Sequence, residues 1–218
     1  MSNGGTAGTR TFKGYRRANG AIGVRNHVLV LPSVMCANHV VDTIGRKVPE
    51  VVTVNHPTGC AQVGTDFEQT KRTMAGFAAN PNVGAVLVVG LGCETNESKA
   101  LAEEIAARGQ RVEVIGIQES GGSSETIARG IALVRTLLDE VASIERVDCP
   151  LDALIIGTEC GGSDGFSGIT ANPALGLASD RVVAEGGTVI LAELPELVGA
   201  EHLLAARASE IWTVGAST

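Results

Sequence analysis

Hydrophobic positions fall into short unbroken blocks, separated by longer stretches in which they recur every three or four residues. The blocks are "HVLVLP" (27–32), "VVTVN" (51–55), "AVLVVG" (85–90), "VEVIGI" (112–117), "ALIIG" (153–157) and "TVILAE" (188–193), with a weaker "IWTV" at 211–214. Their length and their content of Val and Ile read as strands. The Ala-rich periodic stretches near 35–46, 65–79, 95–108, 123–145, 172–185 and 197–208 read as helices. Strands that are apolar on both faces and alternate with helices predict a mostly parallel sheet covered on both sides. The expected fold is a three-layer α/β/α arrangement around a mostly parallel sheet of six or seven strands. It would form a single α/β domain over 13–218, after a polar, Gly-rich, disordered leader at 1–12.

Composition adds constraints to that picture. Hydrophobic residues make up 44% of the 218 and aromatic residues 3%, so the core must be built from Val, Ile, Leu and Ala. The 28 glycines call for many tight turns and exclude a plain helical bundle. Net charge is −7 and no Lys/Arg cluster could track a phosphate backbone, so nucleic acid is not an expected partner. No apolar run approaches the roughly 18 residues of a membrane-spanning helix, and no membrane association is expected. The N-terminal "MSNGGTAGTRTFKGYRR" lacks the apolar centre of a secretory signal. Five cysteines without a CxxC pair argue against a disulfide framework and for a reducing cytoplasm.

Ligands of open parallel sheets collect beyond the carboxyl ends of the strands. There the sequence places His56 and Cys60 in "HPTGC", Cys93 and Glu94 in "LGCETNES", "QESGGSS" after 112–117, "TECGGSDG" with Cys160, and Glu196 after the last strong strand. Cys60, Cys93 and Cys160 thus occupy corresponding positions, each beside a glycine that lets a ligand approach the backbone. A buried free cysteine packs as a small hydrophobe, which is the reading for Cys36 and Cys149. For the trio, two chemistries stay open. Three thiolates could hold a metal with one position left for substrate, or bind an iron–sulfur cluster. Alternatively, one thiolate activated near a helix N-terminus could act as nucleophile, with His56 as base. His27, His39 and His202 read as structural or solvated. "GGSDGFSG" (161–168) matches neither phosphate-loop pattern, yet its backbone N–H groups with Ser163 and Ser167 suit an anion-binding turn.

Several longer stretches carry a resemblance. "GYRRANGAIGVRNHVLVLPSV" (14–34), "HPTGC" (56–60), "GLGCE" (90–94), "QESGG" (118–122), "GTECGGSDGFSGITANPALG" (157–176) and "AELPELVGAEHLL" (192–204) together resemble the altronate/galactarate dehydratase family. That family also contains the large subunit of sulfolactate sulfo-lyase. The resemblance implies a hydro-lyase that removes water from a hydroxy acid, a sugar acid such as altronate or galactarate, with iron (Fe2+) as activating metal. Base-assisted loss of the proton α to a carboxylate would precede loss of the β-hydroxyl as water. The common placement of Cys60, Cys93 and Cys160 after parallel strands predicts that they lie close together as metal ligands, and the resemblance, carried over residue by residue, leaves His56 or Glu94 as base. Arg25, Asn26, Gly161, Gly162, Ser163, Asp164 and Asn172 would bind substrate, with Arg25 clamping its carboxylate. The alternatives are a sulfo-lyase large-subunit-like domain, or a non-catalytic module for binding a small acid or assembling with a partner. Single-chain members carry a small domain before this segment and a second large segment after it. The chain is therefore expected to be a fragment, partnered by a C-terminal half, another subunit or a second copy in a homodimer.

Overall fold

A computed structural model describes residues 10–162 and 164–207; the weak strand at 211–214 and Ser163 lie outside the described residues. The elements in chain order are β1 (Thr11–Arg16), β2 (Ile22–Gly23), β3 (His27–Pro32), α1 (Asn38–Lys47), β4 (Val52–Thr53), α2 (Gly64–Ala78), β5 (Val83–Gly90), α3 (Ser98–Ala107) and β6 (Arg111–Gly116). They continue with α4 (Ser123–Ala142), β7 (Val147–Pro150), β8 (Ile155–Thr158), α5 (Ala171–Ala184), β9 (Thr188–Leu191) and α6 (Glu201–Ala205). The chain forms two compact units. The larger is Phe12–Cys149; the smaller is built from the described residues from Pro150 onward together with those before Phe12.

The larger unit is a mixed α/β fold around a parallel four-stranded sheet of order β4-β3-β5-β6. Alternate side chains of its strands point into two cores, as the period of a pleated strand requires. Val28 and Val30 of β3 and Ala85, Leu87 and Val89 of β5 pack with Val40, Val41 and Ile44 of α1 and Val134, Leu137 and Val141 of α4. Leu29, Leu31, Val86 and Val88 point the other way, to Met74, Ala75 and Ala78 of α2 and Leu101, Ala102 and Ile105 of α3. On α4, Thr126, Gly130, Val134, Leu137 and Val141 form one buried stripe at helical spacing. Gly130 lets that stripe approach α1, because a Cβ there would lie 2.5 Å from Ile44 Cδ1.

Among the described residues the expected sheet of six or seven strands does not form. The blocks at 153–157 and 188–193 pair with each other instead, as a parallel two-stranded sheet β8-β9, and a third sheet of order β2-β1-β7 forms from segments without a strand-like pattern. An apolar block fixes strand character, not which sheet it joins. In the smaller unit no residue from 151 to 207 with a described burial is buried. Ile155, Ile190 and Leu191 of β8 and β9 are each more than half exposed.

Candidate functional site

In the smaller unit, β8 and β9 run parallel in register from Ile155↔Thr188 to Thr158↔Leu191, so both chains leave the sheet at one edge. Ala192 N donates to Thr158 O at 3.3 Å, which holds the two exits together. Beyond them the Cys160 N–H donates to Glu193 Oε2 at 2.8 Å. The ligand atoms of Cys160, Glu193 and Glu196 lie within 4.8 Å of one another, the one such group of three among the described residues. Glu193 adopts a left-handed backbone (φ 61°) at the entry to a single 3-10 turn, Leu194–Leu197, which carries Glu196 back to the same point. One thiolate and two carboxylates form a donor set suited to a divalent transition metal such as iron or zinc.

A cavity of about 750 Å3 opens over this group, and Gly161, Gly162, Asp164 and Asn172 line it. Among the described residues it contains the carboxylates of Glu159, Asp164, Glu193 and Glu196 and no Lys, Arg or His. An anionic ligand would be repelled from such a cavity until a cation entered first.

The turn expected to bind an anion is already engaged. Asp164 Oδ1 accepts the N–H groups of Phe166 (2.8 Å) and Ser167 (3.0 Å). Those hydrogen bonds, Ser167 before Phe166, hold its carboxyl below the ordinary range. The chain's own carboxylate therefore takes two of the donors that the sequence offered to a ligand.

In the larger unit, His56, Cys60, Cys93 and Glu94 stand on the loops after β4 and β5. His56 is held at both ring nitrogens: Nε2 lies 2.8 Å from Pro32 O, and Nδ1 lies 2.9 Å from Thr58 Oγ1 and accepts the Thr58 N–H at 3.2 Å. Nε2–H donating to the carbonyl satisfies this pattern with a neutral ring. Burial lowers the imidazole pKa, and the bond to Pro32 only partly offsets it. Glu94 is 8% exposed. Burial pushes its carboxyl up, but hydrogen bonds from Gly92, its own N–H, Ser33 and Leu91 outweigh that and hold it below its ordinary value. Cys60 and Cys93 are exposed thiols. Cys93 lines a cavity of about 460 Å3 with Lys99 and Gln118.

Arg25 and Asn26 precede β3 and so stand at the amino end of the sheet, away from the loops that follow the strands. Asn26 Oδ1 accepts from Arg17 (2.8 Å) and its amide donates to Val141 O (2.7 Å). The Arg25 backbone is pinned by Asn82 Oδ1 at 3.0 Å, while its side chain is exposed. Cys149 is buried, as its packing role requires, whereas Cys36 is exposed.

Residues 14–142 match the family model described as the second domain of D-galactarate dehydratase/altronate hydrolase, and 151–214 match that of the D-galactarate/altronate dehydratase C-terminal domain. The chain belongs to the galactarate/altronate dehydratase family. Altronate dehydratase of Bacillus subtilis is 42% identical over 210 residues, covering 92% of this chain and 42% of that protein. Altronate dehydratase of Escherichia coli is 40% identical over 209 residues, covering 91% and 42%. The (2R)-sulfolactate sulfo-lyase subunit beta of Chromohalobacter salexigens is 38% identical over 198 residues, covering 91% and 50%. The chain thus spans half or less of the length of these curated relatives.

For this family member, sequence reasoning picked out Cys160 but missed Glu193 and did not use Glu196 as a ligand. Glu193 was absorbed into the strand block "TVILAE". The signal that could have found it was its place two residues beyond the end of a strand, as Cys160 stands two residues beyond another.

Proposed function

We propose that this chain is a module of a hydro-lyase that removes water from a sugar acid such as altronate or galactarate, with Fe2+ held by Cys160, Glu193 and Glu196. The observation that carries this reading is the convergence of those three side chains at the mouth of a cavity rich in carboxylates. Without a bound cation that cavity disfavours the anionic substrates named for the relatives; with one it becomes a receptor for them. The metal would supply Lewis acidity toward the carboxylate and leaving hydroxyl of the substrate.

The chain's own residues do the remainder. Gly161 and Gly162 meet no atom within 4 Å of where a Cβ would stand, which leaves backbone open to a bound acid. Asn172, on the first turn of α5, offers a neutral amide to substrate hydroxyls without adding charge. The ring contacts of His56 and the saturated carboxylate of Glu94 fit loop-holding better than proton transfer.

The chain alone would fold without turning over substrate. Its partner is the remainder of a full-length relative or a separate subunit, covering the apolar residues that β8 and β9 leave exposed. Five cysteines without a disulfide fit a reducing, cytoplasmic setting. The test is anaerobic loading with ferrous iron, alone and with the remaining segment supplied. Loss of water from altronate and galactarate and of sulfite from sulfolactate would be assayed. Turnover of a sugar acid only when both iron and the segment are present is expected. Equal turnover by the metal-free assembly would overturn the reading, and sulfite release alone would assign the module to the sulfo-lyase branch.

A further inference from the structure

Ser33, Glu94 and Asn96 are buried polar residues of the larger unit, at 0, 8 and 1% exposure, and they meet at one place. In the order β4-β3-β5-β6, the helix after β3 (α1) and the helix after β5 (α3) pack into opposite cores. The loops leaving β3 and β5 therefore diverge, and open parallel sheets take ligands in the crevice this creates. Here the crevice is filled from within. Glu94 Oε1 accepts Ser33 Oγ at 3.0 Å and Leu91 N at 3.2 Å, and Oε2 accepts Gly92 N at 2.5 Å. Gly90 makes room for it, since a Cβ there would stand 2.5 Å from Oε1.

The same cluster ties in the third loop. Asn96 Nδ2 donates to Ser33 O and Asn96 N donates to Gly59 O, both at 3.1 Å. Gly59, at φ 96°, lies so close that a Cβ would stand 2.3 Å from Ser33 O. Cys60 follows Gly59 and Cys93 precedes Glu94, so each exposed thiol adjoins a residue of this latch.

We propose that Glu94 is a built-in anion: its carboxylate occupies the seat that a ligand's carboxylate would take in this crevice, and so positions the loops that present Cys60 and Cys93. Glu94 is on this account a positioning residue. The inference rests on the larger unit's geometry and stands or falls independently of the iron site.

The test uses E94A in the 218-residue chain. The substitution deletes a methylene and a carboxylate, the atoms of acetate. Acetate is expected to raise the melting temperature of E94A saturably over sodium chloride of equal ionic strength, with no such difference for the unaltered chain. Hydrogen exchange followed by mass spectrometry should show the Leu91, Gly92 and Asn96 amides exchanging about tenfold faster or more in E94A, the factor expected for losing such buried hydrogen bonds. Acetate should slow them again, while the amides of β3 stay unchanged. E94Q keeps the shape but turns an NH2 toward an N–H donor, and should accelerate the same amides without responding to acetate. Equal effects of acetate and chloride on a folded E94A would overturn the proposal. So would acceleration of the β3 amides together with the others, which reports general loosening. If E94A folds in neither salt, the E94Q exchange pattern decides by the same criterion.

Discussion

Glu193 carries the local constraint on which the proposed metal site depends. A left-handed backbone at a residue with a Cβ costs about 1–2 kcal/mol, and this one is fixed by the Cys160 N–H on its own carboxylate. Replacing Cys160 by Ala or Glu193 by Gln is expected to weaken ferrous-iron binding by more than about 100-fold, beyond the loss typical of outer-shell changes. Anaerobic calorimetry checks this, with circular dichroism unchanged. A second residue-scale prediction concerns pH. Because burial lowers the His56 pKa below its ordinary 6.5, the folded chain refuses a proton that the unfolded chain accepts. The stability this group contributes is complete above pH 6.5 and is lost as the pH falls toward the folded pKa. Glu94, also held below its ordinary 4.5, adds a loss at lower pH still. Urea titrations should show stability falling from neutral pH toward about pH 5, with H56Q flattening that slope and E94Q flattening the more acidic limb.

At the scale of elements, the sequence was legible wherever the signal was local. The blocks at 27–32 and 85–90 became β3 and β5, because six and eight residues alternate between two apolar surfaces. Helices α2, α4 and α5 begin and end within a few residues of their predicted limits, since their apolar spacing and glycine boundaries are local signals. The block at 51–55 shrank to Val52–Thr53, an edge strand with one neighbour. Sheet membership was not legible, because "ALIIG" and "TVILAE" announce strands without naming their partners. Positions after strands were legible: His56, Cys60, Cys93 and Glu94 follow β4 and β5, and Cys160 follows β8. Arg25 and Asn26 lie before β3, and the strand expected at 27–32 already sets them at its amino end. Leu101→Ala in α3 removes a fully buried side chain and should cost about 2–5 kcal/mol. Ile155→Ala in β8, whose side chain is mostly exposed, should stay within about 0.5 kcal/mol. Chemical denaturation of both variants checks the contrast.

Across the whole molecule, the division into two units predicts two levels of protection. Amides of β3 and β5 are closed in by two cores, whereas β8, β9 and α5 belong to a unit in which no described residue from 151 onward is buried. Hydrogen exchange should be at least about 100-fold faster in the latter group, as expected for a segment that opens locally. Adding the remaining segment of a full-length relative should bring the two groups closer. The central proposal is that this chain binds iron on one thiolate and two carboxylates, and not on a set of three cysteines. Iron K-edge X-ray absorption of the ferrous-loaded chain reads the ligands directly. One sulfur among oxygen scatterers is predicted, reduced to none in C160A and unaltered in a C60A/C93A double variant. Three sulfur ligands, or the short iron–iron vector of a cluster, would contradict it.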